Sequence, residues 1–198
     1  MRKNRITIGI LDIQGDTEEH LAMTNNAMEN LNLEGDVTLV KKRSDIKELS
    51  GMIIPGGEST VIGRFLDKDM REEIKKLAKR GGAIMGTCAG SILMAKECSD
   101  NRVNLLEFID MSINRNAYGR QMESFEEDVL VNDIGKFHCV FIRAPIIEKT
   151  WGNAKVLAEF DGKPVFLQQD RFLAMTFHPE LTSDTRIHEH FLNLVKNE

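Results

Sequence analysis

Blocks of aliphatic residues alternate with amphipathic stretches through the first half of the chain. Ile6 to Ile13 is mostly aliphatic and hardly alternates, as a strand buried on both faces would be. Gln14-Gly15 ends it. Asp16 or Thr17 can then cap a helix running to about Leu31, with Leu21, Met28 and Leu31 on one side. Asp36 to Lys42 reads as a second strand, and Lys41-Lys42-Arg43 as its solvated end. Gly51-Met52-Ile53-Ile54 is a third strand, running straight into Pro55-Gly56-Gly57-Glu58-Ser59-Thr60. From Asp69 to Arg80 the spacing puts Met70, Ile74, Leu77 and Ala78 on one helical face. Asp69 with Glu72 makes a capping-box-like start, and Gly81 stops the helix. Ala83-Ile84-Met85 is a fourth strand, and Ser91 to Glu97 follows as a helix-like run. Strands alternating with helices imply a parallel sheet covered by helices on both faces.

After about residue 110 the texture changes to short strand-like runs in succession. These are Met111 to Asn114, Phe125 to Val131, Lys136 to Ala144, Lys155 to Phe160, Pro164 to Gln168 and Phe172 to Phe177. Asp161-Gly162 between two of them is a hairpin signal, so this block is antiparallel or mixed. A last helix begins near Asp184, with Ile187, Phe191, Leu194 and Val195 inward. The expected fold is α/β in three layers, a central mixed but mostly parallel sheet flanked by helices. At 198 residues, with no repeat or Pro/Gly/Ser-rich linker, residues 1–198 are expected to form one domain. Ligands of such sheets bind beyond the carboxyl ends of the parallel strands. The loops at Gln14-Gly15, Pro55 to Thr60 and Gly86 to Gly90 would gather there.

Composition narrows the chemistry. The net charge of −5 counts against sequence-independent nucleic-acid binding. No apolar run approaches the ~20 residues that span a bilayer. The basic start, Met1 to Arg5, leads into a stretch holding Asp12 and Asp16 rather than a secretory apolar core, so a cytoplasmic location is expected. Three widely spaced cysteines, Cys88, Cys98 and Cys139, form neither a disulfide framework nor a zinc pattern.

Gly86-Thr87-Cys88-Ala89-Gly90 lies between a strand and a helix, the cysteine counterpart of a nucleophile elbow. Backbone N–H groups at the helix start favour negative charge on the sulfur. Taken alone, the same five residues also describe a buried cysteine in a glycine-rich turn. A base is available in His178, which follows the strand Phe172 to Phe177 and opens His178-Pro179-Glu180. The imidazole would take the thiol proton, and the carboxylate two residues on would fix the ring; alone, His-Pro-Glu is equally a polar turn. His20, His188 and His190 fall in predicted helices and His138 in a strand, and each reads as a surface or satisfied core residue. Pro55-Gly56-Gly57-Glu58 offers backbone N–H groups suited to an oxyanion hole or anion nest, or makes a simple tight turn. Arg115, Arg120 and Arg143 lie in or beside loops, where any could pair with a carboxylate.

Together these motifs resemble the class I (triad) glutamine amidotransferases, and more narrowly the family of glutaminase subunits of pyridoxal 5′-phosphate synthase. The resemblance rests on Gly9 to Gly15, Pro55 to Thr60, Gly86 to Gly90, the run Arg115-Asn116-Ala117-Tyr118-Gly119-Arg120-Gln121, Phe141-Ile142-Arg143-Ala144-Pro145, and Thr176 to Thr182. It implies Cys88 as nucleophile, His178 as general base and acid, and Glu180 as its orienting carboxylate. It implies an oxyanion hole from the Gly57 and Ala89 N–H groups. L-Glutamine would be held by Gly56, Gly57, Glu58, Arg115, Ile142 and Arg143. It implies neither metal nor organic cofactor, and hydrolysis of L-glutamine to glutamate and ammonia. The partner it implies is the (β/α)8-barrel synthase subunit, which receives the ammonia and whose docking reorients the Gly56-Gly57 peptide. One departure is Asp12, where the family usually carries a small or apolar residue. Rival readings are a glutaminase serving another synthase, such as imidazole glycerol phosphate synthase, a cysteine hydrolase or peptidase with the same elbow, and a non-catalytic interaction module. The Arg115 and Phe141 runs count against the first and the intact Cys88, His178 and Glu180 against the last.

Overall fold

Successive side chains of a strand face opposite sides of its sheet, and the central strands here use both sides. Ile53, Met85, Leu173 and Met175 enter one apolar cluster, while Met52, Ile54, Ile84 and Ala174 enter another. A sheet apolar on both faces needs a cover on each. In the computed structural model, which describes residues 5–115 and 124–196, both covers are present. Residues 116–121 of the run that begins at Arg115, Arg120 among them, lie outside the described residues.

The main sheet has seven strands: β1 (Ile6–Leu11), β2 (Gly35–Val40), β3 (Gly51–Ile54), β4 (Ala83–Thr87), β10 (Lys155–Phe160), β11 (Lys163–Gln169) and β12 (Phe172–Met175). Their order is β10-β11-β12-β4-β3-β1-β2. The five from β2 to β12 run parallel, and β10 and β11 are joined on by antiparallel pairing. The fold is thus the expected α/β arrangement, a mostly parallel mixed sheet flanked by helices. On one face lie α1 (Thr17–Asn30), α5 (Arg186–Lys196) and the hairpin of β7 (Ser124–Val131) and β8 (Gly135–Ile142). On the other lie α2 (Ser59–Phe65), α3 (Lys68–Lys79), α4 (Ala89–Met94) and a three-stranded sheet. That sheet comprises β5 (Ala95–Cys98), β6 (Ile109–Asn114) and β9 (Ile146–Thr150).

Several elements differ from their sequence reading. The helix after Cys88 ends at Met94, because Ala95 turns extended (φ −68°, ψ 156°) and enters β5, which pairs with β6. Strand β9 had no sequence counterpart. Helix α3 starts slightly earlier than its pattern suggests, at Lys68, and its cap is Asp67, not Asp69, which accepts the Met70 N–H at 2.7 Å. The Asp16 side chain caps nothing in α1, whose buried face is His20, Met23, Thr24, Ala27 and Met28, with Leu21 half-buried. Arg43 is not simply solvated but pairs with Asp69 and Glu73 of α3. The unusual Asp12 lies 3.1 Å from Lys41 Nζ across the neighbouring strand ends.

Candidate active site

The turn at Cys88 is held by sterics. Cys88 takes φ 45°, ψ −104°, a conformation that costs a non-glycine residue strain. It persists because its N–H donates to the Met175 carbonyl at 2.9 Å, tying the elbow to β12. A Cβ at Gly90 would sit 2.0 Å from the Ile54 carbonyl oxygen, and one at Gly86 2.6 Å from Met94 Sδ. The glycines therefore let strand and helix close tightly under the cysteine. Cys88 itself is buried, and its Sγ lies 3.7 Å from the Ile142 carbonyl oxygen at the end of β8.

Strand β12 lies beside β4 in parallel register, Met175 opposite Thr87, so the residues just beyond it emerge next to the elbow. His178 is one of them. Its N–H donates to the Val140 carbonyl at 2.8 Å, and its ring is buried against Gly56. Nδ1 lies 2.8 Å from Glu180 Oε1. Glu180 projects from a 3-10 turn, Pro179–Leu181, with its side chain wholly excluded from solvent. His178 Nε2 has no hydrogen-bond partner among the described residues.

The electrostatics follow from these contacts. Burial alone would lower the His178 pKa, but the neighbouring Asp16, Cys88 and Glu180 outweigh it and push it up to about 12. The raised value favours imidazolium, the form the ring reaches on taking a proton from Cys88. Burial opposes ionisation of Glu180, yet His20 and His178 hold its carboxyl well below the usual carboxylate range. Asp16, His178 and Glu180 place three possible ligand atoms within 4.8 Å of one another. The two carboxylates converge on His178 Nδ1, however, and an Nδ1–H donated to carboxylate accounts for that geometry without an ion.

Beside the ring, the Gly56-Gly57 peptides follow β3. Gly57 has φ 130°, a value that essentially only glycine adopts. The loop is braced from β1: Gly15 packs directly on the Gly56 carbonyl, and the Glu58 N–H donates to Gln14 Oε1 at 3.3 Å. The loops after β1, β3 and β4 thus meet at the carboxyl ends of their strands, as the sequence suggested. Glu58 caps α2 through Thr60 and pairs with Arg115. The other side of Arg115 meets Asp100 Oδ2 at 2.7 Å. Ala89 opens α4 with its N–H at the helix start, and Arg143 is exposed just beyond Ile142 with φ 43°.

The profile of the SNO glutamine amidotransferase family matches residues 10–197. The chain belongs to the SNO glutamine amidotransferase family. Among SNO-like relatives, "Pyridoxal 5′-phosphate synthase subunit PdxT" of Thermoplasma acidophilum is 46% identical over 192 residues, covering 96% of this chain and 94% of the relative. The protein of that name from Saccharolobus solfataricus is 47% identical over 197 residues, covering 96% and 98%. A solved structure described as a glutamine amidotransferase superposes with a TM-score of 0.85 at 41% identity, covering 95% of this chain and 98% of that one.

Within this SNO-family site, sequence reasoning missed three side chains. Asp16, read as a helix cap, puts Oδ2 3.1 Å from His178 Nδ1. Asp100 flanks Arg115. His20, read as a surface or core residue, places Nε2 3.3 Å from Glu180 Oε2. Each contact joins residues remote in sequence, and periodicity carries no signal for such a meeting. His138 stands apart, exposed on the β7–β8 hairpin between Asp128 and Glu126, which raise its pKa.

Proposed function

We infer that the chain hydrolyses L-glutamine to L-glutamate and ammonia through a Cys88 thioester, and passes the ammonia to a pyridoxal 5′-phosphate synthase subunit. The observation that carries this reading is the alignment of Cys88, the His178 ring and Glu180 at the ends of two adjacent parallel strands. The family membership and the names of the relatives support it, as does the gathering at one end of the sheet of five of the six sequence runs and of Arg115, the first residue of the sixth.

The chemistry then follows. The Cys88 thiol gives its proton to His178 Nε2, and the sulfur bonds to the side-chain amide carbon of glutamine. The carbonyl oxygen becomes an oxyanion, held by the Gly57 and Ala89 N–H groups. When the intermediate collapses, the C–N bond breaks, His178 returns the proton to the leaving nitrogen, and ammonia departs. A γ-glutamyl thioester remains. His178 next takes a proton from water, the hydroxide adds to the thioester carbon, and the C–S bond breaks to give glutamate and free Cys88. Glu180 keeps Nδ1–H pointed away from the sulfur throughout.

Substrate recognition falls to Gly56, Gly57, Glu58, Arg115, Ile142 and Arg143. Arg115 already lies between two carboxylates, which fixes its guanidinium for a third, that of the substrate. The partner is the (β/α)8-barrel subunit, and docking reorients the Gly56-Gly57 peptide to complete the oxyanion hole, a motion that glycine makes inexpensive. Ammonia release from L-glutamine, measured with and without the cognate synthase subunit for wild type and Cys88→Ala, tests the reading. Release that rises with the synthase and vanishes in the variant is expected. Equal release with and without it would remove the Gly56-Gly57 switch, and none in either state would sink the assignment.

A further inference from the structure

The buried carboxylate of Glu180 has two oxygens, and the mechanism above uses one. Oε1 faces His178 Nδ1. Oε2 has no hydrogen-bond partner among the described residues, and the group that faces it is Nε2 of His20 at 3.3 Å, on α1 and, like Glu180, excluded from solvent. A carboxylate taken out of water needs partners for both oxygens if it is to stay ionised. His20 Nε2 also lies 3.1 Å from Oγ1 of Thr87, the residue preceding the nucleophile. Its other nitrogen, Nδ1, lies 3.1 Å from Nε2 of the buried His188 on α5.

The proton positions in this chain are constrained. An ionised Glu180 only accepts, so His20 must carry hydrogen on Nε2. Burial holds His188 neutral, its pKa lowered to about 3. Its Nδ1 has no hydrogen-bond partner among the described residues. A proton there would be a stranded donor, whereas a proton on Nε2 reaches His20 Nδ1. The assignment that fits the donors is His188 Nε2–H to His20 Nδ1, His20 Nε2–H to Thr87 Oγ1 with Glu180 Oε2 3.3 Å away, and His178 Nδ1–H to Glu180 Oε1. The N–H groups then converge on Glu180, from His188 and His20 on one side and from His178 on the other, and His178 Nε2 faces Cys88.

Resting on the glutaminase reading above, we propose that His20 is a positioning residue for the reaction: it holds Glu180 through Oε2, with its own tautomer set by His188. The rotation of the Glu180 carboxylate is thereby fixed, and with it the direction of the His178 ring. The same side chain links α1 and α5 to the strand that bears the nucleophile.

The test compares wild type, Cys88→Ala, His20→Leu, His20→Gln and His20→Asn, each with the cognate synthase subunit. Ammonia release gives kcat and KM, and thermal melting and the downfield imidazole N–H resonance of His178 are recorded alongside. His20→Leu keeps the bulk and loses the donor, so kcat should fall on the order of 10²-fold, the cost of about 1 Å of misplacement, with KM little changed. His20→Gln, whose amide reaches where Nε2 does, should recover most of kcat and retain the resonance. His20→Asn, too short to reach Glu180, should not. If the leucine variant does not fold, the Gln and Asn variants alone decide. Wild-type kcat in His20→Leu, or equal activity in Gln and Asn, would overturn the inference while leaving the glutaminase intact. An inactive wild type would instead overturn the glutaminase reading itself.

Discussion

Replacing Gly56 by alanine adds one methyl group at the point where the loop after β3 meets the His178 ring. A Cβ built there lies 2.5 Å from His178 Cε1 and 3.2 Å from Nδ1. Carbon atoms pack at about 3.5–4.0 Å, so ring or loop must yield by about 1 Å. If the ring moves, its 2.8 Å bond to Glu180 is lost or bent. If the loop moves, the Gly57 N–H leaves the oxyanion position. A displacement of that size costs on the order of 10²-fold in rate, equivalent to about 2.7 kcal/mol of barrier at 1.36 kcal/mol per tenfold. Overpacking should lower stability by roughly 1–3 kcal/mol. The assay is glutamate and ammonia release at saturating glutamine with the synthase subunit present, alongside thermal melting. Gly81→Ala separates the two effects. Gly81 has φ 95° and nothing within 4 Å of its added Cβ, so alanine there strains the backbone far from the site. That variant should lose about 1 kcal/mol of stability and keep its kcat. A folded Gly56→Ala protein with kcat within about twofold of wild type would refute the steric argument. A matching loss of kcat in Gly81→Ala would show that any destabilisation suffices.

Glu180→Gln should flatten the acid side of the stability profile. Its lowered pKa gives stability present above the ordinary carboxyl value of 4.5 and lost as pH falls, while the raised His178 pKa gives stability present below 6.5 and lost as pH climbs toward 12. Melting temperatures across pH should therefore vary less in the variant, which also loses about 3 kcal/mol near neutrality; an unchanged slope on both sides would refute the linkage. Asp100→Asn takes one of two anions from Arg115 and should raise KM for glutamine about 5- to 10-fold with kcat kept, the worth of one charge-assisted hydrogen bond partly compensated by Glu58; an unaltered KM would remove Asp100 from the binding site. Burial pushes the Cys139 thiol up to about 12, so iodoacetamide at mild alkaline pH should leave it unlabelled in the folded protein and label it in denaturant; native labelling would contradict its burial.

What the sequence disclosed was local chemistry and period. The apolar stripe of α3, the Asp161-Gly162 hairpin and the elbow glycines are each written within a few residues, and each was found. Helix α4 was read too long because Ala95-Lys96-Glu97 are good helix formers, yet pairing with β6 pulls them into β5. Strand β9 escaped notice because Ile146 to Thr150 is short and follows directly on Ala144-Pro145. The meeting of His178 with Glu180 was legible because histidine and carboxylate lie two residues apart beside a strand end. Asp16, Asp100 and His20 were not, since only folding brings them to His178, Arg115 and Glu180. Asp16 is a case of right position and wrong partner: it precedes α1 as a cap should, but its carboxylate turns to His178.

The placement of β12 between β4 and β11 bears on how the protein is made. A ribosome that has finished β9 has produced the reactive thiol, its elbow and the glycine loop, but no base. On the proposed mechanism, the thiol acquires its proton acceptor only when a strand from late in the chain slots in beside β4 and the Cys88 N–H finds the Met175 carbonyl. Such a contact, distant in sequence, closes slowly compared with local helices. On the proposed mechanism, nascent and half-folded forms therefore do not turn over glutamine. In refolding, ammonia release should return after the helical signal does, which makes it a clock for the insertion of the last strand.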